Sequence, residues 1–245
     1  MPLTLTPPDL DARDPRVLDE PAAPSPRRRW RRRLVLLALG FAAVVALGNL
    51  CILAASALAK AVAPPPVVDV PDAVAAIRNF EAIDATLWRG GAPGADDYRA
   101  LAAAGVTTVI DLRAEEGLDI PHALLAELAV TRVAIPIRDG QSPTEDQVRR
   151  FLDAVDASDG TVYLHCGAGV GRTGTMAAVY RVTRGGGGWA AMRANLAVGP
   201  PALEQLVFAA SLEAGEPPEH PNPALVAVSR TLDAPRRMWK VLGGP

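Results

Sequence analysis

The sequence predicts an α/β domain in which a central, mainly parallel sheet is flanked by helices, preceded by a single transmembrane helix. Short, β-branched and mostly apolar runs alternate with stretches that have helical spacing, which predicts the domain. An uncharged run of 26 residues, Leu34–Ala59, predicts the transmembrane helix. Strands that alternate with helices usually form a parallel sheet, because the helices serve as the connections between its strands.

The strands and helices of the domain follow from local patterns. The runs 107–112, 133–137 and 161–165 are typical of buried strands. Ser142-Pro143-Thr144-Glu145 is typical of a capping box, with Ser142 as the cap and Pro143 at the first helical position of the helix that we expect to follow. Further helices are expected at 173–183, 189–198 and 201–214, and the glycines of 185–188 should end the first of these.

The uncharged run is long enough to cross a bilayer. At about 1.5 Å per residue a helix of this length reaches roughly 39 Å, which exceeds a hydrocarbon core of roughly 30 Å. Six arginines lie at its start, between residues 27 and 33, which disfavours a buried core helix. A cleaved signal peptide is the stronger alternative, because Ala57-Leu58-Ala59 resembles a cleavage site. The apolar core of a signal peptide, however, spans about 7–15 residues and follows a leader shorter than the segment before Leu34.

These patterns divide the chain into five parts. Residues 1–33 are predicted to be a disordered cytoplasmic tail that contains the arginine block, and 34–59 the membrane helix. A proline-rich linker (60–77), the α/β domain (78–214) and a C-terminal extension (215–245) follow. The extension mixes apolar and basic residues, and we expect it to pack on the domain rather than on a membrane surface. Basic flanks stay in the cytoplasm, which places the α/β domain outside it.

Charge and cysteine content exclude two classes of protein. From residue 64 onward there are 16 Lys and Arg against 22 Asp and Glu, a balance of 16 − 22 = −6, which argues against a nucleic-acid groove. There are two cysteines, and Cys51 lies in the apolar run. A disulfide framework is therefore not expected, and Cys166 should be a free thiol.

The stretch that carries chemical information starts at the end of the third strand. Cys166 is followed by Gly167-Ala168-Gly169-Val170-Gly171 and then by Arg172. Three glycines in five residues allow the backbone to curl so that its N–H groups converge on an anion. The helix that starts near Arg172 adds the positive end of its dipole, and the guanidinium can bind two phosphate oxygens.

The same surroundings favour a reactive cysteine. A thiol at a helix N-terminus beside a cation reacts as the thiolate, so we expect Cys166 to be a nucleophile. A structural cysteine followed by an ordinary glycine-rich loop is the alternative. That alternative leaves both Arg172 and Thr173 unexplained.

The run HCGAGVGRTG matches the His-Cys-x5-Arg-Thr/Ser signature and resembles the protein tyrosine phosphatase superfamily, in particular its compact dual-specificity-like members, over roughly residues 78–214. The resemblance implies that Cys166 forms a phosphocysteine intermediate and that Arg172 binds the phosphoryl group. It implies that Thr173 hydrogen-bonds the sulfur and that His165 supports the loop and tunes the thiolate. The stretches 87–93 and 109–113 look like those of bacterial and plant relatives and are interpreted as scaffold.

Hydrolysis of an ester also requires a proton for the leaving group. Relatives place an aspartate on a movable loop, after a strand and a few dozen residues before the cysteine. Asp139 fits, because it follows the strand at 133–137 and precedes Gly140, a possible hinge. A solvated turn aspartate is the alternative interpretation. Asp146 is the reserve candidate, although it lies inside a predicted helix.

The loop also bears on the substrate. Its five residues between Cys166 and Arg172 include no lysine or histidine, whereas relatives that act on inositol lipids usually carry basic residues there. The loop therefore favours a phosphoprotein or a small phosphate monoester over a phosphoinositide. The preferred substrate is phosphotyrosine in proteins, with phosphoserine and phosphothreonine as further substrates, and a phosphoinositide or small-molecule phosphatase is the alternative. Membrane attachment favours a lipid, and an inactive phosphate-binding docking module remains a further alternative. No cofactor or metal is implied, since His122, His165 and His220 lack ligand spacing.

Overall fold

A computed structural model of the protein describes residues 26–66, 68–114, 122–219, 221–235 and 238. Its centre is a five-stranded sheet. The strands are β1 (Glu81–Ala82), β2 (Leu87–Gly90), β3 (Val106–Arg113), β4 (Thr131–Ile137) and β5 (Thr161–His165). Their order is β1-β2-β5-β3-β4, with β1 antiparallel to β2 and the other neighbours parallel. The predicted α/β class with a mainly parallel sheet is therefore confirmed, and the strand that precedes Cys166 is central.

The described residues contain nine helices in all. They are α1 (Pro26–Ala61), α2 (Asp72–Ala75), α3 (Ala95–Ala103), α4 (His122–Glu127), α5 (Glu145–Asp156), α6 (Gly171–Thr183), α7 (Gly188–Val198), α8 (Leu203–Ser211) and α9 (Pro223–Leu232). Helices α2–α8 pack on the two faces of this sheet. The helix predicted at 173–183 starts two residues earlier, and the one predicted at 201–214 is shorter at both ends.

Two apolar layers form the core. The larger layer lies between the sheet and α5, α6, α7 and α8, and Phe151, Met176 and Phe208 are fully buried in it. The smaller layer joins the opposite face to α2, α3 and α4 through side chains such as Leu101 and Val109. The helix α6 is buried along most of its length, so the loop that leads into it is attached to a buried element of the domain.

The domain starts earlier than the predicted boundary at residue 78. Val74 and Ile77, which we placed in a proline-rich linker, are buried in the smaller apolar layer. Their burial joins α2 to the folded domain. The α1 helix starts at Pro26, so the arginine block is helical, whereas we placed it in a disordered tail. The prediction for residues 1–25 lies outside the described residues.

The predicted capping box is wrong by two residues. The helix α5 begins at Glu145 with Thr144 as its N-cap, and the reciprocal pair is Thr144 and Gln147. Ser142 does not cap the helix, because its N–H and Oγ both donate to Oε1 of Glu204, at 2.9 and 3.0 Å.

The outer edge of the sheet is covered by side chains of α5. β4 pairs with β3 on one side and is the last strand in the sheet. Gln147 Nε2 donates to the Pro136 carbonyl oxygen at 2.6 Å, and Arg150 Nη2 donates to that of Ala134 at 2.9 Å. These two bonds satisfy carbonyl groups of an edge strand.

The chain divides into two compact units, of which the first ends at Val44 and the second begins at Val45. Trp30–Ala61 is long and apolar enough to cross a membrane, although a signal sequence near this end of the chain would have the same character. Within the second unit, Ser56 Oγ donates to the Leu196 carbonyl oxygen at 2.7 Å, and Asn49 Nδ2 to that of Leu232 at 3.1 Å. The end of α1 and the C-terminal helix α9 are thus joined within that unit.

Candidate active site

The candidate nucleophile and acid lie at the same edge of the sheet. Cys166 directly follows β5, and Asp139 lies two residues beyond the end of β4. β5, β3 and β4 are neighbouring parallel strands, whose carboxyl ends meet at one edge. Cys166 is 3% exposed, at the base of the loop that leads to α6.

The loop holds four successive carbonyl oxygens outward. Each of them accepts a hydrogen bond from a group outside the loop. The bonds are Ala92 N to Gly167 O (3.1 Å), Asn79 Nδ2 to Ala168 O (2.8 Å), and Arg89 Nη2 to Gly169 O (2.7 Å) and to Val170 O (3.4 Å). Because the C=O and N–H of a trans peptide point in opposite directions, the N–H groups of residues 168–171 turn toward the inside of the loop. Convergent N–H groups form a concave anion site, which supports the binding role predicted for 167–171.

Gly169 permits this loop to approach β2 closely. Its φ is +76°, a backbone conformation that side chains with Cβ rarely adopt. A Cβ at this position would lie 2.3 Å from the carbonyl carbon of Gly90. The loop can therefore contact the end of β2 only with glycine at residue 169.

Arg172 connects the loop to the segment that carries Asp139. It is the second residue of α6, and its side chain is 3% exposed. Its Nη1 donates to the Ile137 carbonyl oxygen at 3.1 Å, and its Nε lies 3.7 Å from Asp139 Oδ1. The carboxylate is 30% exposed, so Asp139 is accessible from the solvent side of the site.

His165 and Asp111 form a buried polar cluster beside the nucleophile. Asp111 is fully buried and accepts bonds from Arg113 Nε at 3.0 Å and Arg132 Nη2 at 2.7 Å. Burial alone would raise the pKa of Asp111, but the bonds from Arg113, the nearby His165 and Arg132 hold that pKa well below its usual range.

Burial lowers the pKa of His165 to about 4, against the opposing effect of Asp111. The imidazole is therefore neutral near pH 7. Its Nδ1 lies 3.3 Å from the Cys166 carbonyl oxygen, and its Nε2 lies 3.9 Å from Asp111 Oδ1. The ring thus lies between the backbone of Cys166 and Asp111, and the loop-supporting role that the resemblance implies stays a prediction.

The remaining candidates differ in their surroundings. Thr173 is fully buried, and its Oγ1 has no hydrogen-bond partner among the described residues. Its predicted bond to the sulfur stays a prediction. Asp146, the reserve acid, lies on α5, where its largely exposed side chain pairs with Arg149. Asp139, which lies beside Arg172, is the better placed of the two carboxylates.

The residues that bind the outward-facing carbonyl groups of the loop were not predicted from the sequence. Arg89 was interpreted as scaffold, yet it is 1% exposed and also donates to Asn195 Oδ1 at 3.2 Å. Burial lowers the pKa of Arg89, and the nearby Glu81 carboxylate opposes that shift. One signal was available: Arg89 lies inside a four-residue strand that starts with apolar residues. An arginine is rarely buried at such a place without partners, so its position indicates that partners exist. Asn79 carried no comparable signal.

Within the described ranges, no group of histidine, cysteine and acidic side chains could hold a metal ion. The arrangement instead combines a thiol, an anion-binding loop, a buried guanidinium and a carboxylate. This combination on a mainly parallel five-stranded sheet defines a compact, dual-specificity-like member of the protein tyrosine phosphatase superfamily. Residues 70–209 match the family model described as DSP-PTPase phosphatase fused to NAD+ kinase, and the chain belongs to that family.

Similar proteins include both kinases and phosphatases. A probable chloroplastic NAD kinase 2 of Oryza sativa subsp. japonica is 31% identical over 110 residues, which cover 42% of this chain and 11% of the kinase. The human dual specificity protein phosphatase CDC14C is 50% identical over 42 residues, 17% of this chain and 9% of that protein. The crystal structure of P. aeruginosa TpbA is similar at 28% identity and a TM-score of 0.42, over 52% of this chain and 74% of that one. The chain thus spans about a tenth of the length of these two sequence relatives.

Proposed function

We propose that this protein is a cysteine-dependent phosphatase that hydrolyses phosphate monoesters through a phosphocysteine intermediate. The outward-held carbonyl groups of residues 167–170 support this proposal most, because they leave the N–H groups of the same peptides to face an anion directly after Cys166. Arg172 adds a buried cation to that site. Backbone donors fixed in advance stabilise the charge of a transferring phosphoryl group without reorganisation.

The reaction proceeds in two displacements. The Cys166 thiolate attacks phosphorus, the bond from phosphorus to the ester oxygen breaks, and Asp139 donates its proton to the departing oxygen. Asp139, now a carboxylate, accepts a proton from a water that attacks the phosphocysteine. The phosphorus–sulfur bond breaks, inorganic phosphate leaves, and Thr173 stabilises the released thiolate through its hydroxyl.

Phosphotyrosine in proteins is the substrate that we favour, with phosphoserine and phosphothreonine as further substrates. The loop between Cys166 and Arg172 has no charged side chain, so it offers a single phosphoryl group its N–H donors and one guanidinium. A polyphosphorylated inositol lipid would bring additional charges that no side chain of the loop balances.

The catalytic proposal is tested with para-nitrophenyl phosphate and the full chain in detergent micelles, under reducing conditions and without added metal. The Cys166→Ser variant should lose turnover, whereas Cys51→Ser, which changes the exposed cysteine of α1, should keep it. Turnover that survives in Cys166→Ser would rule out the cysteine mechanism. If the wild type shows no turnover but binds phosphate, the inactive docking module becomes the better explanation.

The substrate proposal is tested by comparing kcat/KM for phosphotyrosine peptides, phosphoserine peptides and short-chain phosphoinositides. We expect the phosphotyrosine peptides to be hydrolysed fastest. A preference for the phosphoinositides would overturn the ranking and would agree with a membrane location.

We further propose that residues 34–59 cross a membrane once, with the N-terminus in the cytoplasm and the catalytic domain outside it. The length and composition of α1 and the arginines at its start support this proposal. Insertion into the bilayer would break the hydrogen bonds from Asn49 and Ser56 to the folded domain. In sealed vesicles, the protein should stay in the membrane during alkaline extraction. On a denaturing gel it should have the mass of the full chain. A product shortened near Ala59 would indicate a cleaved signal sequence. Digestion of the catalytic domain by a protease on the cytoplasmic face would show that the orientation is the opposite of the proposed one.

A further inference from the structure

The segment that carries Asp139 is held at both of its ends. At the start, the Ile137 carbonyl oxygen accepts from Arg172. At the far end, Ser142 donates from N and Oγ to Glu204 Oε1, at 2.9 and 3.0 Å. Gly140, with φ of +78°, lies between these two anchors. The position of the carboxylate therefore depends on α8 as well as on the loop.

Glu204 is an unusual residue to find buried at this place. It is 4% exposed, and its Oε2 has no hydrogen-bond partner among the residues described. A buried carboxylate whose side-chain partner is a neutral serine costs stability, and a leucine would fill the volume at a lower cost. Its position in the first turn of α8 reduces the cost, because the helix dipole favours a negative charge there. The observed contacts give the carboxylate one evident task, which is to hold Ser142.

The next residue, Gln205, contacts both functional loops. It is fully buried, and its Nε2 donates to the Gln141 carbonyl oxygen at 3.1 Å. Its Oε1 accepts from Ala202 N at 3.1 Å and lies so close to Gly171 that a Cβ there would be 2.4 Å away. One side chain thus packs against the end of the phosphate-binding loop and bonds to the Asp139 segment.

The helix α9 supports this arrangement from the other side. Ser229 Oγ accepts from Glu204 N at 2.9 Å, and Ser229 is 2% exposed. The N-terminus of α8 is therefore fixed by a residue of the C-terminal extension, and α8 in turn fixes the Asp139 segment.

We propose that Glu204, together with Gln205, is a positioning residue that keeps Asp139 over the phosphate-binding loop for proton donation to the leaving group. This inference rests on the proposed phosphatase function. It predicts a defect confined to reactions that need the proton, since misplacing a catalytic group by about 1 Å can cost on the order of 10²-fold in rate.

The leaving group of the substrate separates this role from a structural one. Dinitrophenolate departs without a proton, whereas the phenolate of phenyl phosphate requires one. Glu204→Leu keeps the volume but removes the acceptor, and it should lower kcat/KM for phenyl phosphate by about 10–100-fold while changing that for 2,4-dinitrophenyl phosphate by less than about threefold. Glu204→Gln keeps an oxygen acceptor for Ser142 and should restore most of the rate. The exposed Glu213→Leu is the matched control and should behave like the wild type.

Two further variants keep the inference testable if Glu204→Leu fails to fold. Gln205→Met removes the donor to Gln141 and should show the same selective loss. In an Asp139→Asn background, Glu204→Leu should cause no additional loss, because the group that it positions is already absent. Equal losses on both substrates, or additive losses with Asp139→Asn, would overturn the inference. A wild type that hydrolyses neither substrate would instead refute the proposed function.

Discussion

Arg89 donates from Nη2 to the Gly169 carbonyl oxygen, while its Nη1 lies 3.7 Å from Glu81. A buried guanidinium that is hydrogen-bonded and paired is tolerated. Removing it takes the donor away from the Gly169 carbonyl oxygen, whereas Glu81 keeps its second partner, Arg181. This arginine lies outside the cysteine signature and yet shapes the loop that the signature encodes.

Arg89→Met should therefore reduce both stability and activity. We expect the free energy of unfolding to fall by about 1–3 kcal/mol, because a buried carbonyl group of the loop loses its donor. Urea denaturation measures this loss, and binding of inorganic phosphate should weaken in parallel. Arg99→Met, which removes an arginine with a 53% exposed side chain, is the control and should stay within about 0.5 kcal/mol of the wild type. Equal stability of the two variants would contradict this role of Arg89.

His165 makes the stability of the domain depend on pH. Its pKa is about 4 in the folded protein against 6.5 ordinarily, so the unfolded chain takes up a proton first as the pH falls. The stability contributed by the neutral ring is complete above about pH 6.5 and is lost toward pH 4, with a slope of at most about 1.4 kcal/mol per pH unit. The contribution of Asp111, whose folded pKa is depressed, is present above its ordinary value of 3.8 and is lost only at lower pH.

Urea midpoints measured between pH 7.5 and 4.5 should therefore fall for the wild type and change less for His165→Asn. His122→Asn alters an exposed histidine at the start of α4 and should follow the wild type. Parallel curves for His165→Asn and the wild type would show that the buried ring does not carry the dependence.

At the scale of elements, the contact between the phosphate-binding loop and β2 depends on the glycine at residue 169. Gly169→Ala adds a Cβ within 2.5 Å of the Gly90–Gly91 backbone and strains a positive φ by about 1–2 kcal/mol. We expect kcat/KM to fall by at least about 10²-fold, because the loop must move away from β2. Gly105→Ala is a matched control, since its φ is +94° but the added Cβ would meet open space. Similar rates for the two variants would mean that the close approach does not shape the site.

The choice of the N-cap of α5 shows where sequence patterns reach their limit. Ser142 and Thr144 are each followed, three residues later, by Glu145 or Gln147, so both positions fit the capping pattern. Glu204, which is 62 residues away, bonds to Ser142 and leaves Thr144 as the cap. A local pattern cannot include that partner.

The same limit applies to the site as a whole. The strand at 161–165 and the position of Asp139 beyond β4 were predictable, because apolar runs and motif spacing are local properties. Asn79, Arg89 and Gln205 were not, since their roles arise when separate elements pack against the loop. The chemical groups follow from the motif, whereas the groups that hold them follow from the fold.

For the whole molecule, the two side chains of α5 that cover β4 protect its free edge. Gln147→Glu keeps the cap but removes the donor to Pro136, and Arg150→Met removes the donor to Ala134. The double variant should be less stable by about 1–3 kcal/mol, from two hydrogen bonds, and should associate more readily, because exposed edges pair with other strands. Light scattering against concentration measures the association. Arg149→Met, which changes an exposed neighbour, should not increase it.

The protected edge has a consequence for how a substrate is recognised. Many peptide-binding domains read an extended partner by adding it to the sheet as a further strand, so that main-chain bonds supply the affinity. Here the Ala134 and Pro136 carbonyl oxygens of β4 already accept hydrogen bonds from side chains of α5, and β1 at the opposite edge is two residues long. A phosphorylated peptide would therefore be held by its phosphate and nearby side chains alone. We expect such an enzyme to hydrolyse phosphopeptides of many sequences. Its selectivity among substrates would then depend on which of them lie near the enzyme.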